Sequence, residues 1–253
     1  MEVDGLRAVV VGGASGMARA TATLLAEGGA RIAIFDLPAS SGKQVAEELG
    51  GSFFELDITD EEGVATAIQA AADALGGIDA GINVAGGGVS ARTVSRKGPH
   101  SLEDFKRTID LNLVATFNLL RLEADVMSRN DPNEHGERGV VINTASIAAF
   151  EGQIGQVAYA AAKSGIVGMT FVAARDLGTL GIRVNAIAPS LFDTGLTHLA
   201  PQEMKDALTA DAAFPRRMGR PIEYAMLARS IIENPMLNGG TIRIDGAQRF
   251  APK

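Results

Sequence analysis

Short hydrophobic runs recur along the chain, and most of them are continuous rather than alternating between apolar and polar positions. They cover residues 6–11, 31–35, 53–56, 78–84, 140–144, 182–188 and 241–244. Continuous runs of valine, isoleucine, leucine and alanine are typical of parallel strands, because helices cover both faces of such a sheet. The pattern therefore predicts a seven-stranded parallel sheet.

Alanine-rich segments with helical periodicity lie between these runs, at about 16–28, 40–49, 61–75, 102–128, 154–178 and 221–233. Regular alternation of strand and helix predicts an α/β protein with a doubly wound Rossmann fold and right-handed crossovers. No linker or change of composition divides residues 1–253, so we expect one domain. The irregular segment 190–221 follows a strand end, which is where substrate loops of this fold class are found.

The composition of the chain argues against several classes of function. The chain of 253 residues has a net charge of −7, and this argues against nucleic-acid binding, which needs a basic surface. It contains no cysteine and only three histidines, so we expect neither thiolate catalysis nor a metal site. Residues 1–6 lack the basic and apolar regions of a signal peptide, and the longest uncharged apolar stretch, 164–174, is shorter than a membrane span. We expect a cytoplasmic protein without membrane contact.

A glycine-rich turn follows the first predicted strand and leads directly into a helix. Gly12 and Gly16 permit a tight turn and a close approach of the backbone to a pyrophosphate, whose charge the N-terminus of the helix favours. Ser15 and Met17 belong to the same turn. Such a turn is also compatible with a plain corner between strand and helix, so its meaning depends on the residues that follow.

Acidic and small residues end the next three strands. Asp36 lies 20 residues beyond Gly16, where a carboxylate accepts both ribose hydroxyls of an adenosine and repels a 2′-phosphate. Leu37 follows it rather than a basic residue, so the pattern favours NAD over NADP. Asp57 and Ile58 end the third strand, where the carboxylate can meet the adenine amino group, and the fourth strand ends in Asn83, Val84 and Ala85.

Four polar residues further along the chain suit hydride transfer at a carbinol carbon. Tyr159 and Lys163 are four positions apart in a predicted helix, which puts both side chains on one face. A phenol needs its pKa lowered by about 3 units to act as a base near neutrality, and a nearby ammonium acts in that direction. Ser146 can hold the substrate oxygen, and Asn112 can position a water on the proton path.

With these residues the sequence resembles the short-chain dehydrogenase/reductase family over essentially its whole length. It is more similar still to one branch, the type 2 3-hydroxyacyl-CoA dehydrogenases. The stretches that carry this similarity are LEDF at 102–105, GVVINTASIAAFEGQIG at 139–155, GIVGMT at 165–170, IIENPMLNG at 231–239 and DGA at 245–247.

The resemblance implies a role for each matching residue. Tyr159 is the expected base, Lys163 its electrostatic partner and a ribose ligand, Ser146 the donor to the substrate oxygen, and Asn112 the fourth member. Gln153 falls where the branch has a substrate-pocket glutamine. Positions that contact NAD in such enzymes correspond to Ser15, Met17, Asp36, Asp57, Ile58, Val84, Phe192 and Thr194. The family also implies a homotetramer, packed partly through the long helices at 102–128 and 154–178.

The substrate is less closely defined than the chemistry. The branch implies oxidation of (S)-3-hydroxyacyl-CoA by NAD, and the alternatives are a 3-oxoacyl-carrier-protein reductase or a dehydrogenase of steroids or other secondary alcohols. A nucleotide-sensing scaffold without chemistry is the alternative from another class. Two basic groups could meet the phosphates of CoA or simply be solvated: Arg92, Arg96 and Lys97, or Arg216, Arg217 and Arg220.

Overall fold

A parallel sheet of seven strands forms the centre of the molecule in the computed structural model, which describes residues 1–250. The strands are β1 (Arg7–Val11), β2 (Arg31–Asp36), β3 (Ser52–Glu55), β4 (Ala80–Asn83), β7 (Gly139–Thr144), β8 (Ile182–Pro189) and β9 (Thr241–Ile244). Their order is β3-β2-β1-β4-β7-β8-β9. The short strands β5 (Val94–Ser95) and β6 (Gly98–Pro99) pair separately as an antiparallel hairpin. The predicted fold class is confirmed.

Helices cover both faces of the sheet. They are α1 (Gly16–Glu27), α2 (Gly42–Glu48), α3 (Glu61–Leu75), α4 (Leu102–Ile109), α5 (Ala115–Ser128), α6 (Val157–Gly178), α7 (Gly195–His198), α8 (Gln202–Leu208) and α9 (Pro221–Glu233). A π-helical turn (Asp110–Val114) joins α4 to α5, and a 3₁₀ turn (Ile147–Ala149) follows β7. Helices α3 and α5 pack on one face, and α1, α2 and α9 pack on the other.

Alternate residues of the central strands enter different cores, which explains the continuous hydrophobic runs. In β1, Val9 and Val11 pack with α3 and α5, whereas Ala8 and Val10 pack with α1 and α9. All four are fully buried. Because neither face of the strand meets water, neither face selects polar residues, and the period-2 alternation of a half-exposed strand is absent.

The structure differs from the sequence prediction in two places. The helix expected at 102–128 is continuous in direction, but the π-helical turn interrupts its hydrogen-bond pattern at 110–114. A π turn adds one residue without breaking the hydrophobic period strongly, so the pattern does not reveal it. The segment 190–221, expected to be irregular, contains the short helices α7 and α8, which are too brief to show a clear periodicity.

Candidate active site

A cavity of about 650 Å³ opens at the carboxyl ends of β1 to β4. The sheet order reverses here, because β2 lies on one side of β1 and β4 lies on the other. Open α/β sheets bind their ligands at such switch points. The cavity lining includes Gly12, Ser15, Gly16, Met17, Asp36, Asp57, Ile58, Val84, Ala85 and Thr194, which are ten of the predicted cofactor residues.

The glycine-rich turn has the geometry that a pyrophosphate site needs. Gly12 has a φ of +81°, and a Cβ there would lie 3.1 Å from the backbone nitrogen of Ala85. Gly16 has a φ of +56°, and its Cβ would lie 3.1 Å from Cγ2 of Thr194. Ser15 begins α1 without a side-chain capping hydrogen bond. The first amides of α1 therefore face the cavity uncapped, and they fit an anionic group at the N-terminus of a helix.

Two carboxylates line the same cavity at the ends of β2 and β3. Asp36 accepts hydrogen bonds from the backbone amides of Ala14 and Leu37 at 2.9 and 2.8 Å, which fix its orientation. Asp57 accepts bonds from the hydroxyl and the amide of Thr59, and these bonds lower the pKa of its carboxyl. Both groups can accept hydrogen bonds from ribose hydroxyls or an adenine amino group. The residues present thus fit an adenine dinucleotide.

Tyr159 and Lys163 lie one turn apart on α6. The ammonium of Lys163 is buried, donates a hydrogen bond to the carbonyl oxygen of Thr144 at 2.8 Å and lies 5.6 Å from the centre of the Tyr159 ring. Burial lowers the pKa of Lys163 to about 8, because a charge without water is costly. Burial also raises the pKa of the Tyr159 phenol, and the hydrogen bond with Ser146 opposes this rise. The protein alone therefore keeps the phenol neutral.

The π-helical turn places Asn112 beside this pair. Its side-chain oxygen accepts a hydrogen bond from the amide of Gly87 at 3.1 Å, and its nitrogen donates to the carbonyl of Thr108 at 2.8 Å. A Cβ on Gly86 would lie 2.7 Å from the Asn112 oxygen and 3.4 Å from Nζ of Lys163. Asn112, Lys163 and the backbone after β4 consequently meet at one point, with room for nothing larger than glycine.

Comparison with known proteins agrees with this geometry. The family model for short chain dehydrogenases matches residues 7–205. The chain belongs to the short-chain dehydrogenase family. It is 50% identical to a human protein named 3-hydroxyacyl-CoA dehydrogenase type-2, over 99% of this chain and 97% of that one. A protein of the same name from Drosophila melanogaster is 49% identical over 96% of this chain and 97% of that one.

Solved structures of other short-chain dehydrogenases superpose closely on this fold. A crystal structure of 3-hydroxyacyl-CoA dehydrogenase type-2 from Mycobacterium avium has a TM-score of 0.93 and 44% identity, with 98% of each chain covered. A 7α-hydroxysteroid dehydrogenase in complex with NADH has a TM-score of 0.87 and 28% identity, covering 100% of this chain and 97% of that one. The protein is therefore an oxidoreductase of this family, and the family indicates a nicotinamide cofactor.

Four predicted cofactor residues of this dehydrogenase do not line the cavity, and neither does the predicted substrate residue Gln153. Two of the four are Tyr159 and Lys163, the pair on α6 described above. Asn83 is buried inside the sheet, where its side-chain nitrogen donates to Glu123 and Asn143 at 2.9 and 3.0 Å. Phe192 is buried next to Gly219, to which it pairs through a β-bridge. Gln153 lies in the loop before α6, where its amide oxygen accepts a bond from the side chain of Gln156 at 3.3 Å.

Among the lining residues that the sequence pattern did not indicate, two come from a distant part of the chain. Arg107 on α4 and Leu111 in the π-helical turn both line it, although the chain brings them there from a helix that begins beyond β4. No local motif marks such positions. Only the packing of α4 against α6 and of α5 against β4 shows that they reach the cavity.

This arrangement can oxidise a secondary alcohol. A nicotinamide cofactor held by the residues of the cavity would supply the hydride acceptor for the carbinol carbon. Ser146 and Tyr159 both have hydroxyl groups that can hold the substrate oxygen, and the Tyr159 phenolate can take the hydroxyl proton. The Lys163 ammonium, 5.6 Å from the ring centre, favours ionisation of the phenol, and the positive charge of an oxidised nicotinamide would act in the same direction. Asn112 accepts a hydrogen bond from the amide of Gly87 and so fixes the backbone after β4, which lies beside the Lys163 ammonium.

Proposed function

We propose that this short-chain dehydrogenase oxidises (S)-3-hydroxyacyl-CoA thioesters to 3-oxoacyl-CoA with NAD as the hydride acceptor. The observation that carries the proposal is the placement of Ser146, Tyr159, Lys163 and Asn112 beside a cavity lined by Asp36. Relatives named 3-hydroxyacyl-CoA dehydrogenase type-2 align with nearly the whole chain. The aligned length includes the loop with Gln153, the predicted substrate residue.

The preference for NAD over NADP rests on Asp36. Its carboxylate lines the cavity at the end of β2, where a 2′-phosphate would meet a negative charge. Arg107 lines the same cavity and could attract a phosphate, but its guanidinium is bonded to Asp104 at 2.8 Å. The charge that a 2′-phosphate would meet at the ribose end of the cavity is therefore the Asp36 carboxylate. We assign NAD as the cofactor.

All three residues of the basic group at the β5–β6 hairpin are exposed, whereas in the other group Arg216 and Arg220 are exposed and Arg217 is engaged in an ion pair. Arg217 pairs with both carboxylate oxygens of Glu223, an interaction that keeps the pKa of Glu223 low, at about 2. Arg92, Arg96 and Lys97 lie exposed on or beside the β5–β6 hairpin, and within residues 1–250 their side chains form no ion pair or hydrogen bond. We propose that the hairpin group meets the CoA phosphates.

We also propose that the enzyme is a homotetramer. Phe117 on α5 and Phe171 and Val172 on α6 are more than half exposed, and the groove between these two helices has a volume of about 300 Å³. Helix α6 is long and apolar enough to cross a membrane by composition alone, with 33% of that stretch buried. Because α6 holds Tyr159 and Lys163 in the active site, we assign its exposed face to contact with other copies. The cytoplasmic location stays a prediction.

The test is formation of NADH by the purified protein with 3-hydroxybutyryl-CoA, its 2-methyl analogue and a steroid alcohol. We expect oxidation of the thioesters, and its loss by a factor of about 10³ or more in the Tyr159→Phe variant. Tyr224→Phe is the matched control, since the buried Tyr224 hydroxyl bonds only Thr144, at 2.7 Å, among the residues described. It should retain activity.

Each other outcome identifies a different function. Oxidation of free alcohols but not of thioesters would keep the dehydrogenase chemistry and reject acyl-CoA. Equal use of NADP would favour a carrier-protein reductase, and bound NAD without turnover of any alcohol would favour a sensing role. For the CoA contacts, the Arg92→Ala/Arg96→Ala double variant should raise KM for the thioester alone. The Arg216→Ala/Arg217→Ala variant should not.

A further inference from the structure

The end of β9 and the residues that follow it fold around one carboxylate, that of Asp245. We call residues 243–249 the C-terminal strap. Asp245 accepts a hydrogen bond from the amide of Ala247 at 2.9 Å and pairs with Arg243 and Arg249 at 2.7 and 3.1 Å. Ala247 has a φ of +57°, a conformation that side chains other than glycine's rarely adopt. Such a conformation persists only when its surroundings hold it, so the strap is a defined structure.

One side of the strap binds the loop that follows the catalytic serine. The guanidinium of Arg243 donates to both carboxylate oxygens of Glu151 at 2.8 Å, and Arg249 lies 3.3 Å from the same carboxylate. The Arg243 guanidinium also lies 5.1 Å from the centre of the Phe150 ring. Glu151 is only five residues after Ser146, with the 3₁₀ turn between them. These contacts fix the loop 150–156, which we call the first wall.

The other side of the strap binds residues 190–221, which we call the second wall. The carbonyl of Gly246 accepts hydrogen bonds from the amides of Ala213 and Phe214 at 3.1 and 3.2 Å. The side chain of Gln248 is buried and donates to the carbonyl of Leu208 at 2.9 Å. Within the described part of the chain, no hydrogen bond joins the two walls directly. Instead, ion pairs join the first wall to the strap, and hydrogen bonds join the second wall to the strap.

We propose that the strap sets the separation of the two walls, and that Glu151 and Arg243 are positioning residues for the oxidation of large substrates. The inference rests on the proposed function, since it assigns the loops on either side of the strap to the substrate. Loosening the Glu151–Arg243 contact lets the walls separate and weakens binding of an acyl thioester. None of the strap residues lines the cofactor cavity, so NAD binding should not change.

The test uses Glu151→Gln, which keeps the shape of the side chain and removes its charge. Arg229→Met is the matched control, because Arg229 forms an exposed pair with Glu233 at 2.9 Å on α9, outside the strap. We expect Glu151→Gln to raise KM for 3-hydroxybutyryl-CoA about fivefold or more while KM for NAD stays unchanged. Hydrogen exchange at the amides of Ala213 and Phe214 should become faster than in the control.

Gln248→Ala removes the hydrogen bond to Leu208 on the other side of the strap. It should likewise raise KM for the thioester and leave KM for NAD unchanged. An unchanged KM for the thioester in both variants would overturn the inference. So would a parallel rise of both KM values with a lower Tm, because that describes general destabilisation. If the wild-type protein oxidises no thioester, the proposed function fails instead. The exchange rates at Ala213 and Phe214 then still decide whether the strap holds the second wall.

Discussion

Replacing Glu123 by glutamine should change how the stability of the protein depends on pH. Glu123 on α5 is completely buried and reaches the sheet, where it accepts a hydrogen bond from Asn83 at 2.9 Å. Its second oxygen has no partner among the described residues, and neither does the side-chain oxygen of Asn83. Burial raises the pKa of this carboxyl to about 8, since no cation offsets the loss of water.

The sign of the pH effect follows from which state of the chain, folded or unfolded, keeps the proton of Glu123. The unfolded chain releases it near the ordinary pKa of 4.5, whereas the folded chain keeps it until about pH 8. Between these values the folded state binds more protons, so the free energy of unfolding falls as pH rises, by about 1.4 kcal/mol per pH unit. Between the two pKa values the free energy of unfolding falls by about 5 kcal/mol in total, and between pH 5 and pH 8 it falls by about 4 kcal/mol.

Glutamine keeps the volume of Glu123 and does not titrate. We therefore expect Glu123→Gln to match the wild type near pH 5 and to exceed it by about 4 kcal/mol at pH 8, or roughly 10 °C in Tm. Urea unfolding at both pH values measures the difference, with Glu47→Gln on the exposed side of α2 as the control. Parallel stability curves for Glu123→Gln and the wild type across this range would refute the reasoning.

Three further substitutions test separate parts of the structure. Gly86→Ala should lower kcat about tenfold or more, because its methyl group displaces the Asn112 oxygen, whereas Gly87→Ala should not, since no atom lies within 4 Å of that Cβ. Asp36→Ala should weaken NAD binding about tenfold and strengthen NADP binding, as measured by fluorescence titration; retention of the NAD preference would contradict the cofactor assignment. Arg183→Met should cost about 3–5 kcal/mol in urea unfolding, because it removes a buried cation that pairs with Glu137 and donates to carbonyls at the end of α9, and a loss below about 1 kcal/mol would argue against these contacts.

The fold and the shared helix face of the candidate catalytic residues Tyr159 and Lys163 were predictable because their signals are local. Parallel strands show as apolar runs, and the four-residue spacing of Tyr159 and Lys163 places them on one helix face without knowledge of the rest. Asn83 shows where such reasoning stops. It ends a strand beside cofactor residues, but strand side chains alternate, and a buried carboxylate 40 residues away provides its partner. Arg107 reaches the cavity through helix packing, which leaves no mark in the nearby sequence.

The strand order has a consequence for how the chain is made. Each strand, taken in order of synthesis, pairs with an edge that already exists: β2 joins β1, β3 joins β2, β4 joins the free side of β1, and β7, β8 and β9 follow outwards. No strand has to enter between two that have already paired. A nascent chain emerging at about 5–20 residues per second can thus extend its sheet without taking it apart. The strands that line the cofactor cavity come first, and residues 190–221 gain their hydrogen bonds to the strap only after β9 has been made.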